Sequence, residues 1–201
     1  MGFDTNVFIN CPYDAEYNTL QKPLNYTIIH LGLEPQLSQN KSSAITRIEQ
    51  IKNLIRESKF SIHDLSRCKP LKGNRLPRFN MPFELGLDIG CFEYGGKKFR
   101  DKKMLILETN RYHYQKVLSD IAGQDIENHN DDPKILVSKV RNWFSAIDHI
   151  KAYPEPTEIW KAYHNLIKHL TNKLSGDIQE MPIADFIKLA KNWVQKLKNP
   201  V

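Results

Sequence analysis

Thr5-Asn-Val-Phe-Ile-Asn10, closed by Cys11-Pro12 and followed by Tyr17 to Leu31 and then Gly32, is the stretch on which the fold turns. The first six residues are rich in β-formers and stop at a proline, so they read as a strand. Leu20, Leu24, Ile28 and Leu31 then recur at the helical period. Gly32 stands where a helix-ending glycine would. A strand, a helix and a glycine stop within about thirty residues make the first half of a strand–helix–strand unit.

Working outward, the alternation continues. Leu33 to Leu37 reads as a short second strand. Ser43 is placed to cap a helix from Ala44 to Ser58, with Ile45, Ile48, Ile51, Leu54 and Ile55 inward. Phe60-Ser-Ile-His-Asp64 is a third strand, and a helix follows from about Met81 to Phe92. Met104-Leu-Ile-Leu107 is fully apolar, as buried parallel strands are. Tyr112 to Ser119 reads as helical and Asp125 to His129 as a weak fifth strand. Pro133 opens a helix through Ile147. Strict alternation implies right-handed crossovers and a parallel sheet with helices on both faces. The expected strand order is 2-1-3-4-5. Any ligand then sits beyond the carboxyl ends of the strands.

Tyr153-Pro-Glu-Pro156 is a stiff break. Two amphipathic helices follow, Thr157 to Leu174 and Ile183 to Leu197, joined by Ser175-Gly176. The expected organisation is an α/β domain over residues 1–150 and a helical hairpin appendage over 151–201. The hairpin suits an oligomer contact or a partner.

Composition narrows the class. Of 201 residues 40% are hydrophobic and 26% charged, a globular balance. No apolar run approaches the ~20 residues that span a bilayer, and Met1 to Asn10 carries no secretory pattern. Cys11, Cys68 and Cys91 are odd in number and widely spaced, with no zinc spacing. A reducing, cytoplasmic setting is expected, with no metal. The net charge of +6 is spread along the chain, which disfavours nucleic acid as a partner. One local excess stands out. Arg67, Lys69, Lys72, Arg75 and Arg78 fall within twelve residues that hold no acid, an arrangement suited to phosphates. Neither a dinucleotide glycine fingerprint nor a phosphate-binding loop motif is present.

Pro77-Arg-Phe-Asn-Met-Pro-Phe-Glu-Leu-Gly86 carries the chemistry. Pro82 suits the first helical position, which puts Glu84 in the first turn at the mouth of the sheet. The helix dipole should keep a carboxylate there ionised. An ionised carboxylate in a cleft supports or attacks an oxocarbenium-like carbon; capping alone is the plainer use of an acid at that position. Asp64, ending the third strand, suits ribose hydroxyls or an Asx turn. His63 alternates with it, so the two face opposite ways, and His63 is expected in the core. Asn80 suits a cap or a ligand contact. Tyr13 and Phe83 offer rings for stacking, Arg67 a phosphate contact, and Arg47 a weaker one.

Phe83-Glu84-Leu85-Gly86 after a third strand resembles the Phe-Glu-Leu-Gly motif of nucleoside 2-deoxyribosyltransferases, whose motif glutamate attacks the sugar C1′ carbon. The wider set resembles bacterial proteins with a Toll/interleukin-1 receptor (TIR)-like domain: Phe8-Ile-Asn-Cys-Pro-Tyr-Asp14, Ser61-Ile-His-Asp-Leu-Ser66 and Phe79-Asn-Met-Pro-Phe-Glu-Leu-Gly86. Both families share the flavodoxin-like plan. Asn80-Met81-Pro82 departs from the small residues usual before the transferase glutamate. The TIR resemblance implies an NAD⁺ N-glycosidase with Glu84 as catalytic residue and NAD as substrate rather than cofactor. It also implies a role in antiphage defence, as a homo-oligomer or with a partner defence protein. Asn10, Tyr13, Asp64, Arg67, Asn80 and Phe83 are the expected substrate contacts. The transferase resemblance implies a nucleoside substrate instead, and a non-enzymatic TIR-like module is the third reading.

Overall fold

Five short runs of β-forming residues come together side by side in the computed structural model. It describes residues 2–38, 44–67, 79–112, 114–116, 118–147, 153–174 and 176–198. The strands are β1 (Asn6–Asn10), β2 (Glu34–Leu37), β3 (Phe60–Asp64), β4 (Lys103–Glu108) and β5 (Ile126–Asn128). All pair in parallel, in the order β2-β1-β3-β4-β5. This is the flavodoxin-like α/β plan that the alternation predicts. The order reverses direction between β1 and β3, where Asn10 sits opposite His63. The carboxyl ends of these two strands therefore flank the switch point at which such sheets bind ligands.

The chain divides into two compact units, Met1–Pro12 with Glu34–Asn130, and Tyr13–Leu33 with Asp131–Val201. The first holds the sheet with α2 (Arg47–Arg56) and α3 (Asn80–Tyr94). Phe8 packs with Ile51 and Ile55 of α2 and with Leu87 and Cys91 of α3. Leu65, Met81, Leu85, Ile106, Tyr114 and Ile126 form a second apolar cluster. The second unit holds α1 (Asn18–His30), α4 (Pro133–Ile147), α5 (Pro156–Lys173) and α6 (Ile183–Lys198), with α1 touching the other three. Gly32 ends α1 at φ +82°. Leu33 N–H donates to Ile28 O and Gly32 N–H to Ile29 O, the paired bonds of a glycine helix stop.

Three local expectations are corrected. The helix expected from Ala44 begins at Arg47. Thr46 and Glu49 stand at capping-box spacing, and each accepts the other's backbone N–H. Ile45 precedes the cap and is exposed rather than inward; Ser43 lies outside the described residues. Pro82 is the third residue of α3, not the first. It is tolerated because none of the first four N–H groups of a helix has a partner within it. The segment from Tyr112 to Ser119 is not one helix. Tyr112 takes a left-handed φ of 64°, and the chain follows with two 3₁₀ turns, Tyr114–Lys116 and Ser119–Ile121.

A buried polar chain crosses the first unit. Lys102 Nζ lies 3.1 Å from Asp88 Oδ1 and donates to the carbonyls of Ile55 and Ser58. Asp88 Oδ2 is 3.0 Å from His63 Nε2, and Asn10 Nδ2 is 3.0 Å from His63 Nδ1. Removing one member of a buried ion pair strands the other. Asp88→Leu should therefore cost about 3–5 kcal/mol in urea unfolding, with half or more of it recovered when Lys102→Met is added. Additive losses would show that the two charges act separately.

Candidate active site

Met81, Glu84, Leu85 and Asp88 follow the i, i+3, i+4, i+7 spacing of a buried helix face, and all four are buried on α3. An acid on that stripe is carried inward with its apolar neighbours. Glu84 is accordingly 4% exposed. This overturns the expected first-turn, dipole-held carboxylate. Glu84 is the fifth residue of α3, past the first turn where the dipole acts. Burial instead pushes its carboxyl up to about 7, with the charge of Arg47, the first residue of α2, opposing the rise.

Four residues along α3, one helical turn on, Asp88 is driven the other way. Burial alone would raise it. Hydrogen bonds from His63 and Ser61 and the charge of Lys102 together hold it below the ordinary carboxylate range. Two carboxyls on one helix face are thus pushed apart, one kept ionised and one poised near neutrality. Acid–base sites use such a split, and a buried ion-pair network of the kind around Asp88 also produces one. Asn10 places this helix. Its Nδ2 donates to Met81 O at 2.9 Å as well as to His63 Nδ1, tying the end of β1 to α3 three residues before Glu84. Since Asn10 donates to Nδ1, His63 carries its proton on Nε2 and donates it to Asp88.

The other expected residues are dispersed. His63 shares the sheet face of α3, while Asp64 points to the opposite face. There Asp64 Oδ1 accepts from Ser66 N–H at 2.9 Å in an Asx turn, and Oδ2 lies 3.1 Å from His129 Nε2. Both oxygens are engaged within the protein. Arg67 follows directly and is half-buried; the basic run after it, residues 68–78, lies outside the described residues. Asn80 is exposed as the first residue of α3, and the cap position belongs to Phe79, which makes no side-chain cap bond. Phe83 is 57% exposed and Phe79, one turn earlier, 59%. Tyr13 is exposed and belongs to the other unit. The structure therefore gathers Asn10 and Glu84 around the start of α3, with Phe83 on its outer side, and does not bring Asp64 to it.

Asp88 and Lys102 were not singled out from sequence. The available signal was an acid four residues after Glu84, on the same face as Met81 and Leu85. Among the described residues no group of three or more His, Cys, Asp or Glu is arranged to hold a metal, and no helix is long and apolar enough to cross a membrane. Comparisons with protein-family models, curated proteins and solved structures return no match.

The position of Glu84 has a measurable cost. Below about pH 4 both folded and unfolded chains hold the proton. As pH rises from 4.5 towards 7 the unfolded chain releases it first, so folding loses stability. At ~1.4 kcal/mol per pH unit, the loss above pH 7 is roughly 3 kcal/mol. Glu84→Gln removes the titrating group. Its urea-unfolding stability should exceed the parent's by roughly 1–3 kcal/mol at pH 8 and match it at pH 4. Parallel pH curves for the two proteins would mean that Glu84 titrates normally.

Proposed function

We propose that the chain is a TIR-like N-glycosidase acting on NAD⁺, with Glu84 as its catalytic carboxylate. The observation that carries this reading is a buried carboxyl at the start of α3, poised near neutrality beside Arg47. Cleavage of NAD⁺ breaks the bond between ribose C1′ and the nicotinamide nitrogen. The electron pair leaves with nicotinamide, which departs neutral, so no general acid is required. Positive charge builds on C1′, and the ionised Glu84 stabilises it. Water then forms the new C1′–O bond and gives up a proton to solvent; attack by a group of the same molecule gives a cyclic product instead.

Burial serves this chemistry twice. A desolvated carboxylate acts on a nearby cation with little screening. It also holds its charge at a penalty that an arriving cation relieves. NAD⁺ brings that cation, so substrate binding should pull Glu84 back toward its ordinary value. Phe83 offers an exposed ring for nicotinamide, and Arg67, with the basic run behind it, suits the pyrophosphate. The odd, widely spaced cysteines fit the same reading, with the reaction in a reducing cytoplasm.

Two experiments test the reading. With NAD⁺ turnover followed by product chromatography, kcat/KM should rise with pH and level off above about 7, because only the ionised form works. The kcat profile should titrate lower, since bound substrate favours that form. Glu84→Gln should keep NAD⁺ binding and lose activity by a factor of about 10²–10³ or more; parental turnover in this variant would remove Glu84 from the mechanism. A parent that ignores NAD⁺ but cleaves deoxynucleosides would favour the deoxyribosyltransferase-like reading, and inactivity on both would favour a non-enzymatic module. Separately, Arg67→Ala should weaken NAD⁺ binding by about 1.5–3 kcal/mol in calorimetry, the range for a hydrogen bond to a charged group. Unchanged binding would reassign the pyrophosphate to other residues.

A further inference from the structure

α2 and α3 leave between them a groove of about 430 Å³, with Ile55, Leu87, Cys91 and Phe99 among its lining. It adjoins a more polar hollow of about 500 Å³ along α2, where Glu49 and Asn53 contribute. Lys52 and Arg56, one turn apart on α2, line both. Two cations therefore stand where an apolar compartment meets a polar one. Glu49, the acid of the hollow, is committed to Thr46 through the capping box. Burial pushes the Cys91 thiol up, with Asp88 adding to the rise and Lys102, Arg56 and Lys98 opposing it. Asp88 is itself engaged by Lys102 and His63. What the groove offers an anionic ligand is the pair of cations on its wall, Lys52 and Arg56.

Two further features shape the groove. Tyr94, 90% exposed, offers its ring at the rim. Gly90 lines the groove from inside α3, and a Cβ built there would meet nothing within 4 Å. A glycine inside a helix costs stability relative to alanine. No neighbour requires this one, and its missing side chain leaves the groove open.

We propose that the α2–α3 groove binds a small aromatic phosphate of mononucleotide size, its ring against the apolar floor beside Tyr94 and its phosphate on Lys52 and Arg56. The volume falls in the range of small-molecule sites. The arginine fork and the lysine at i, i+4 match a phosphate, and the aromatic rim matches a flat ring. Glu84 is not among the lining residues, so this site is separate from the glycosidase centre and does not depend on that reading.

Calorimetry on the full chain, with AMP as the probe and adenosine and inorganic phosphate as separate titrants, tests it. AMP should bind, and each of the other two should bind at least tenfold more weakly. Gly90→Leu fills the groove from a position with room for a side chain, and Arg56→Glu reverses its charge; each should weaken AMP binding at least tenfold. Gly86→Ala, on the same helix outside the groove, and Glu84→Gln should leave it unchanged. Alkylation of Cys91 by iodoacetamide, read by peptide mass mapping, should slow at least threefold with AMP present. The proposal is overturned if the parent does not bind AMP, or if both groove variants bind it like the parent. Loss of binding in Glu84→Gln would place AMP at the other site and overturn it as well.

Discussion

Lys102, Asp88, His63 and Asn10 are almost fully buried, and each carries a group that water would otherwise solvate. Burying any one alone would be costly, and burying the carboxylate or ammonium alone prohibitively so. Linked in series they satisfy one another. The lysine sits on two carbonyls at the end of α2 and on the aspartate, the aspartate takes the imidazole N–H, and the imidazole takes the asparagine N–H. The chain ends on Met81 O at the start of α3. Through it α2, α3, β1 and β3 are held by directional contacts as well as by apolar packing, which is tolerant of small slips. Hydrogen bonds at about 3 Å do not tolerate a slip of a helix by one residue. The rotation of α3, and with it the direction in which Glu84 points, is therefore set mainly by this chain.

What was legible in the sequence follows the same division between pattern and pairing. β3 reads from Phe60 to Asp64 in both sequence and structure, because a compact β-forming run that ends on an aspartate has one interpretation. The parallel sheet followed from alternation, and its order, β2-β1-β3-β4-β5, is one of the two common doubly wound plans. The start of α2 was misplaced because Ser43 and Thr46 are both good caps, and only the reciprocal bond with Glu49 decides between them. Tyr112 defeated the helical reading through a left-handed backbone that nothing in a tyrosine announces. Glu84 was found as a residue but not as a chemical state. Its protonation depends on which face of α3 is buried and on where α3 begins. Asp88 lies on α3 and Lys102 fourteen residues on, just before β4, and their pairing exists only once the fold brings them together.

The two acids of α3 show why burial alone does not equip a carboxylate to support a cation. Asp88 is ionised, but its charge is already answered by an ammonium and an imidazole N–H at 3.0–3.1 Å. A cation developing nearby would gain little from it, because the field of the aspartate is largely cancelled by the partners that keep it ionised. Glu84 is in the opposite condition. Its charge is opposed by burial and only partly supported by Arg47. Its ionised form is therefore high in free energy until a positive centre arrives, and most strongly stabilised when one does. A group that supports a transition state must gain more from it than from the ground state. Of the two acids, Glu84 alone retains that difference, and the neighbouring chain, by consuming the charge of Asp88, keeps a second carboxylate from raising the cost of ionising Glu84 further.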